Sequence, residues 1–190
     1  MTTFEDQVFT KADFAATPIS TGVYDNCEFV QCNFERADLS NCQFCECTFT
    51  GCNLAMVNAP MTVFNDVRFT DCKMIGIHFE QCSEFIFILH FERCNLNHSS
   101  FFKRKMKKTI FTECTMNNTD FTGTDLTGAV MTRCDLLDAR FEQTNLEKAD
   151  LSSAFNYTID PEMNKIKKAR FSVTGIGGLL TRHDIIIDMN

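Results

Sequence analysis

Residues 27–46 read Cys27-Glu28-Phe29-Val30-Gln31, Cys32-Asn33-Phe34-Glu35-Arg36, Ala37-Asp38-Leu39-Ser40-Asn41, Cys42-Gln43-Phe44-Cys45-Glu46. Each unit of five opens on a small residue and carries an apolar one at its centre. A period of five fits neither the 3.6-residue repeat of a helix nor the two-residue alternation of a strand, so the chain turns after every five residues and each unit is one side of a coil. Extending the central column gives Phe4, Phe9, Phe14, Ile19, Tyr24, Phe29, Phe34, Leu39, Phe44, Phe49, Leu54, Ala59, Phe64, Phe69, Met74 and Phe79. A second run starts at Ile86 and continues through Phe91, Leu96, Phe101, Met106, Phe111, Met116, Phe121, Leu126, Met131, Leu136, Phe141 and Leu146 to Leu151. The runs differ in phase by two, which predicts a two-residue insertion between Phe79 and Ile86.

The column two residues before each centre is mostly small: Ala12, Thr17, Gly22, Cys27, Cys32 and Ala37 early, Thr119, Thr124, Ala129, Cys134, Ala139, Thr144 and Ala149 late. All the cysteines but Cys45 fall in it. Beyond its size and its preference for burial, the sequence gives no reason why Cys fills the column so often.

Units such as Ala37-Asp38-Leu39-Ser40-Asn41, Thr124-Asp125-Leu126-Thr127-Gly128 and Ala149-Asp150-Leu151-Ser152-Ser153 resemble the Ala-Asp/Asn-Leu/Phe-Ser/Thr-X consensus of pentapeptide-repeat proteins. The resemblance implies an all-β fold, a right-handed quadrilateral β-helix with four units per coil and with the centre and the small residue pointing inward. A twenty-residue coil should stack like on like, and the sequence does so: Phe9, Phe29, Phe49, Phe69, Phe91, Phe111, Met131, Leu151 in one column, Ala12, Cys32, Cys52, Cys72, Cys94, Cys114, Cys134, Ala154 in another. Both stay in step across the insertion, which therefore reads as a bulge or short loop within one coil. The repeat is taken to span residues 1–154, about seven and a half coils at ~4.8 Å, a rod roughly 36 Å long.

Residues 155–190 leave the repeat. Asn156 to Pro161 reads as a turn, Ser172–Arg182 as a short helix despite Gly175, Gly177 and Gly178, and Asp184–Asp188 as β-rich. A solenoid needs its open end covered, so a helical cap is expected here. The tail, from Ile159-Asp160-Pro161 through Lys168-Ala169-Arg170-Phe171-Ser172 to Gly178-Leu179-Leu180, is similar to tails of the Qnr-type quinolone-resistance and microcin-immunity members. That similarity implies a two-fold homodimer, with Ile176, Leu179, Leu180, Ile185, Ile186 and Ile187 as the contacts.

Composition agrees with one compact domain: 190 residues, 44% hydrophobic and 23% charged. No apolar run is long enough to span a membrane, and Met1–Thr10 lacks the layout of a signal peptide. Eleven cysteines without an export signal favour a reducing compartment, the cytoplasm. A net charge of -7 disfavours direct nucleic-acid binding.

Three constellations invite chemistry, and none converges on a site. Cys42, Cys45, Cys47 and Cys52 have ligand-like spacing, but three of them belong to the inward column on different sides of a coil and do not converge on one ion. His78, His90, His98 and His183 are candidate bases for a thiol hydrolase, and the first three fall on outward positions. Gly175-Ile176-Gly177-Gly178 lacks the strand and lysine of a phosphate loop. No active site, metal or cofactor is expected. Lys103-Arg104-Lys105-Met106-Lys107-Lys108 keeps Met106 on the central column, placing Lys105, Lys107 and Lys108 outward and Arg104 at a tight inward site. Beside it, Phe85, Phe87, Ile88 and Leu89 exceed the needs of the repeat and form an apolar patch unless the bulge folds them in.

Residues 1–154 hold 21 acidic and 13 basic side chains, and residues 155–190 hold 4 and 5. Sorting outward positions by side places Glu5, Asp6, Asp25, Glu46 and Asp66 on one face with no base among them. The resemblance implies a non-enzymatic DNA mimic that binds type II topoisomerase, DNA gyrase or topoisomerase IV, and protects it. The acidic face is then the partner-binding surface. The competing expectation is a rigid interaction scaffold whose contact is Phe85, Phe87, Ile88, Lys105, Lys107 and Lys108.

Overall fold

A computed structural model of the chain, describing residues 1–186 and 188, shows a four-sided parallel β-solenoid. On the first side lie β1 (Thr2–Glu5), β3 (Gly22–Asp25), β5 (Gln43–Cys45) and the start of β7 (Val63–Thr70). On the second lie β2 (Val8–Thr10), β4 (Glu28–Val30), β6 (Thr48–Thr50), the end of β7, then β8 (Phe87–Glu92), β9 (Ile110–Thr112), β10 (Val130–Thr132), β11 (Asp150–Leu151) and β12 (Arg170–Phe171). Every pair is parallel, and the register places Phe9 on Phe29, Phe49, Phe69, Phe91, Phe111 and Met131 in turn. The other sides are held by single bridges such as Asp13↔Asn33↔Asn53↔Lys73↔Asn95 and Ser100↔Asp120↔Arg140.

The turn every five residues has a local cause. The residue two after the centre takes the left-handed conformation at nearly every corner, as at Asn26 (φ 49°), Asn41 (φ 62°) and Gly123 (φ 68°). Asn, Asp and Gly bear that conformation at least cost. The residue before the centre is so often Asp or Asn because its side-chain oxygen accepts the backbone N–H two residues on: Asp38 from Ser40 at 3.0 Å, Asp120 from Thr122 at 2.8 Å, Asp150 from Ser152 at 3.0 Å.

The core is a set of ring ladders. Phe29 stacks on Phe49 at 4.5 Å, Phe79 on Phe101 at 4.6 Å and Phe101 on Phe121 at 5.4 Å, while rings on adjacent sides meet edge-on, Phe29 against Phe34 at 5.6 Å. The small column has a hydrogen-bonding duty as well as a size limit. Thr62, Thr119, Thr124 and Thr144 donate to the carbonyl of the centre on the coil below at 2.8–3.0 Å. The thiols of Cys47, Cys52 and Cys72 point at the equivalent carbonyls at 3.3 Å. Cysteine recurs here because it is small, apolar and still carries a weak donor for a buried carbonyl.

The insertion corrects the expected register. Ile86 does not occupy the central column but is 42% exposed, and Phe87 pairs with Phe64 in its place. The coil-to-coil offset is 23 at Phe64/Phe87 and 22 from Val67/Leu89 onward. Three residues, Glu84 to Ile86, are therefore looped out and one is skipped before Leu89. The slot on this side continues a column of rings, and Phe87 fills it edge-on to Phe64 at 6.4 Å and to Phe79 at 5.9 Å. The expected apolar patch is thereby divided: Phe87 and Leu89 pack inward, while Phe85 (93% exposed), Ile86 and Ile88 remain outside.

Parallel pairing also runs past the boundary drawn at residue 154. Asn145 bridges Lys165, and β11 pairs β12. Asn164 enters the small column, donating to the Phe141 carbonyl at 2.7 Å and accepting from Thr144 N at 2.9 Å, the duty Thr performs elsewhere. The tail then folds over the last coil. The helix expected over Ser172–Arg182 is replaced by two 3₁₀ turns, Ile176–Leu179 and Thr181–His183. Three glycines disfavour an α-helix here, and at Gly175 and Gly178 the backbone lies too close to the last coil for a side chain. A Cβ at Gly178 would stand 2.1 Å from the Tyr157 carbonyl oxygen. Ile159 N donates to Gly178 O at 2.9 Å, and Arg182 pairs with Asp160 and Glu162. Asp184, Ile185, Ile186 and Asp188 form no strand.

Candidate interaction surfaces

The outward positions of the first side stack by register, Glu5 on Asp25, Cys45 and Asn65. The adjoining corner carries Asp6, Asn26, Glu46 and Asp66, each with positive φ. Two carboxylates, Glu5 and Asp25, thus lie one strand spacing apart, about 4.8 Å. Asp6 is held by a hydrogen bond from the Asn26 amide at 2.7 Å. Among the described residues none of Glu5, Asp6, Asp25 and Glu46 has an ion-pair partner. Asp66 departs from the expectation of a base-free face: Arg68 reaches it at 3.7 Å and His90 at 3.2 Å. The corner brings a side chain from the next side and one from the coil above within reach of it.

Beyond Asp66 the acids meet cations across coils. Asp71 is bound by Arg93 at 2.7 Å, Asp125 by Lys107 at 3.4 Å and Asp150 by Arg170 at 3.0 Å, and Glu113 is bound by Arg133. The Arg93 guanidinium holds the Asp71 carboxyl below the usual range. The charge count follows the same division. Residues 1–66 hold nine carboxylates and two cations, a net of -7, whereas residues 67–190 hold sixteen of each. The whole net charge of the protein therefore resides in its first coils. At ~4.8 Å per coil, 66 residues occupy about 16 Å, or about one carboxylate per 1.8 Å of rod, against roughly one charge per 1.7 Å along duplex DNA.

The reactive-looking groups are placed as structural ones. Cys42, Cys47 and Cys52 are buried on separate sides, and Cys45 is half-buried on the acidic face. Burial pushes the Cys45 thiol up, with Asp25 and Glu46 adding to it, which is the opposite of an activated nucleophile. His78 Nδ1 lies 2.9 Å from Glu80, His90 is on Asp66, and His98 and His183 are exposed.

The basic run divides as expected. Lys105, Lys107 and Lys108 are exposed, and Arg104 is buried at 5% exposure. The guanidinium donates to the carbonyls of Cys82 at 3.0 Å and Ser83 at 2.6 Å. The sequence signal for this position is a lone Arg in a column otherwise filled by Gly, Cys, Thr and Asn. Of the tail residues, Ile176, Ile185 and Ile186 are exposed, Leu180 is half-buried, Leu179 packs against the core as part of the cap, and Ile187 lies outside the described residues. No helix among the described residues is long and apolar enough to cross a membrane.

Comparison with known proteins bears on the fold. The family model described as a pentapeptide repeat region matches residues 23–101, and that of pentapeptide repeats (8 copies) matches residues 94–133. Among solved structures, the chain is similar to a trypsin-treated variant of QnrB1, a plasmid-mediated fluoroquinolone resistance protein. The TM-score is 0.65 at 16% identity, over 98% of this chain and 100% of that one. A second trypsin-treated QnrB1 variant gives 0.53 at 16% identity, over 98% of each chain. No curated protein matches the sequence.

Proposed function

Because this chain belongs to the pentapeptide-repeat family, we propose that it is a non-enzymatic binding protein whose acidic first coils occupy the duplex-binding groove of a type II topoisomerase, DNA gyrase or topoisomerase IV, and shield that enzyme. The observation that carries the reading is the ladder of unpaired carboxylates at Glu5, Asp6, Asp25 and Glu46, set in first coils that hold the whole net charge of the protein. Asp66 marks where it ends, since Arg68 pairs with it at 3.7 Å. QnrB1, similar in fold, is a fluoroquinolone resistance protein, and protection of the drug's target is the role this reading carries over. Two copies joined through Ile176, Ile185 and Ile186, with the half-buried Leu180 beside them, would present one acidic arm on each side of a two-fold enzyme; sedimentation of the purified protein as a monomer would remove that element.

The test is direct binding to purified gyrase subunits, titrated with salt, beside a supercoiling assay with and without drug. Binding that weakens steeply with salt and falls when Asp25 and Glu46 become Lys supports the reading. No binding at micromolar protein, with supercoiling and drug sensitivity unchanged, overturns it.

A further inference from the structure

The interrupted coil leaves a cleft of about 480 Å³ between the loop at residues 84–86 and the next coil, within the size range of small-molecule sites. Its floor is the Phe87 ring, with the Arg104 guanidinium 4.0 Å above the ring centre. Phe102 forms part of the wall, with the Lys103 ammonium 4.8 Å from its ring centre.

Two charged side chains of this cleft are left incompletely bonded. Arg104 spends two nitrogens on backbone carbonyls, but its Nε has no partner and no carboxylate lies within ion-pair distance of it among the described residues. Burial pulls the Arg104 pKa down, while Cys82, Glu84 and Glu80 oppose that from nearby. Glu80 is bonded through Oε1 to His78, and its Oε2 is buried with no donor. A buried guanidinium with one N–H unbonded and no counter-ion, and a buried carboxylate oxygen lacking a donor, are each costly. Both are relieved by one molecule carrying an anion and an ammonium on an aromatic body, since the remaining walls are rings. Lys103, which has no ion-pair partner among the described residues, adds to the anion's side, and Glu84 to the cation's.

We propose that this cleft binds a small aromatic zwitterion, an aromatic amino acid or dipeptide, with its carboxylate at Arg104 and Lys103, its ammonium at Glu80 and Glu84, and its ring on Phe87 and Phe102. The site is independent of the acidic face, lying past the point where the unpaired ladder ends.

The experiment titrates the full-length protein with L-phenylalanine, N-acetyl-L-phenylalanine and L-phenylalaninamide, read by backbone amide shifts. The expected result is saturable binding of L-phenylalanine at millimolar or tighter dissociation constant, at least tenfold weaker for the acetylated and the amidated forms, with shifts at residues 80–87 and 102–105. Glu80→Gln should erase the preference over the acetylated form. Arg104→Met should erase the preference over the amide, and if that variant fails to fold the Glu80→Gln result stands alone. No saturation by about 10 mM, equal binding of all three, or shifts confined to the open first coil around Phe4, Phe9 and Phe14 would overturn the proposal.

Discussion

Arg104 lies over Phe87, its guanidinium carbon 4.0 Å from the ring centre, and the same group donates to the carbonyls of Cys82 and Ser83. One side chain thus closes the gap that the looped-out residues open in the coil. Arg104→Ala removes the packing and leaves both carbonyls unpaired, which should lower stability by roughly 3 kcal/mol. Arg104→Met keeps the bulk and relieves the buried charge, so about 1 kcal/mol is expected. Thermal unfolding should rank native above Met above Ala; an Ala variant as stable as the native chain would contradict the role assigned to Arg104.

The thiols give a pH prediction. Burial pushes Cys47 and Cys82 up to about 12 from an ordinary 9.0. Between those values the unfolded chain has released protons that the folded chain retains, so stability falls as pH rises from about 9 toward 12 and is fully present below that window. Replacing Cys47 and Cys82 with Thr, which bonds the carbonyl of the coil below at Thr62 and Thr124 as the Cys47 thiol does, should lessen that fall and change stability at pH 7 by no more than about 1 kcal/mol. Urea unfolding at pH 7 and pH 10 measures both. In the native state a thiol reagent should find Cys45 alone, and slowly.

The columns of apolar and small residues made the solenoid legible because every coil repeats the same demand: a ring or Leu at the centre, a small residue before it, Asp or Asn between them. What was not legible lies where that demand lapses. Ile86 and Phe87 are both apolar, and composition does not show which will enter the core. The choice is made by ring neighbours from other coils, Phe64 and Phe79, and by Arg104 above. The contacts of Asp66 were hidden for a related reason. Its partners Arg68 and His90 sit on other elements of the coil, and sorting positions by side does not reveal contacts across a corner. Asn156 and Tyr157 likewise broke the pattern at the last coil, where Tyr157 turns inward against Phe171 at 5.6 Å instead of a residue on the centre.

Stability and binding should part company on the acidic face. Asp25 is stacked beside Glu5, and neither has an ion-pair partner among the described residues, so Asp25→Lys replaces repulsion by attraction and should raise stability by a few tenths of a kcal/mol. The same change should weaken topoisomerase binding and reduce its salt dependence. A control at Glu113, which Arg133 already pairs, should leave binding unchanged when made Gln. A loss of binding for Glu113→Gln about half that for Asp25→Lys, in proportion to the charge changed, would show that net charge, rather than this ladder, is what the partner reads.

The cap offers a final test through Gly178. Its own carbonyl accepts from Ile159 N at 2.9 Å, and the approach that makes this bond brings the Gly178 backbone against Tyr157, where a Cβ would lie 2.1 Å from a carbonyl oxygen and 3.0 Å from the ring. A backbone carbonyl cannot step aside as a flexible side chain can, so Gly178→Ala must push the segment 175–183 off the last coil. Loss of that cover exposes Tyr157 and Ile159, now 4% and 0% exposed, and separates Arg182 from Asp160 and Glu162. A destabilisation of about 2 kcal/mol or more is expected. Because each coil of a solenoid touches only its neighbours, the damage should begin at the C-terminal coil and leave the first coils folded. Limited trypsin digestion should therefore cut the variant first at Lys165, Lys167, Lys168 or Arg170, while the native chain resists there. Equal resistance of the two chains would mean that the tail does not hold the last coil.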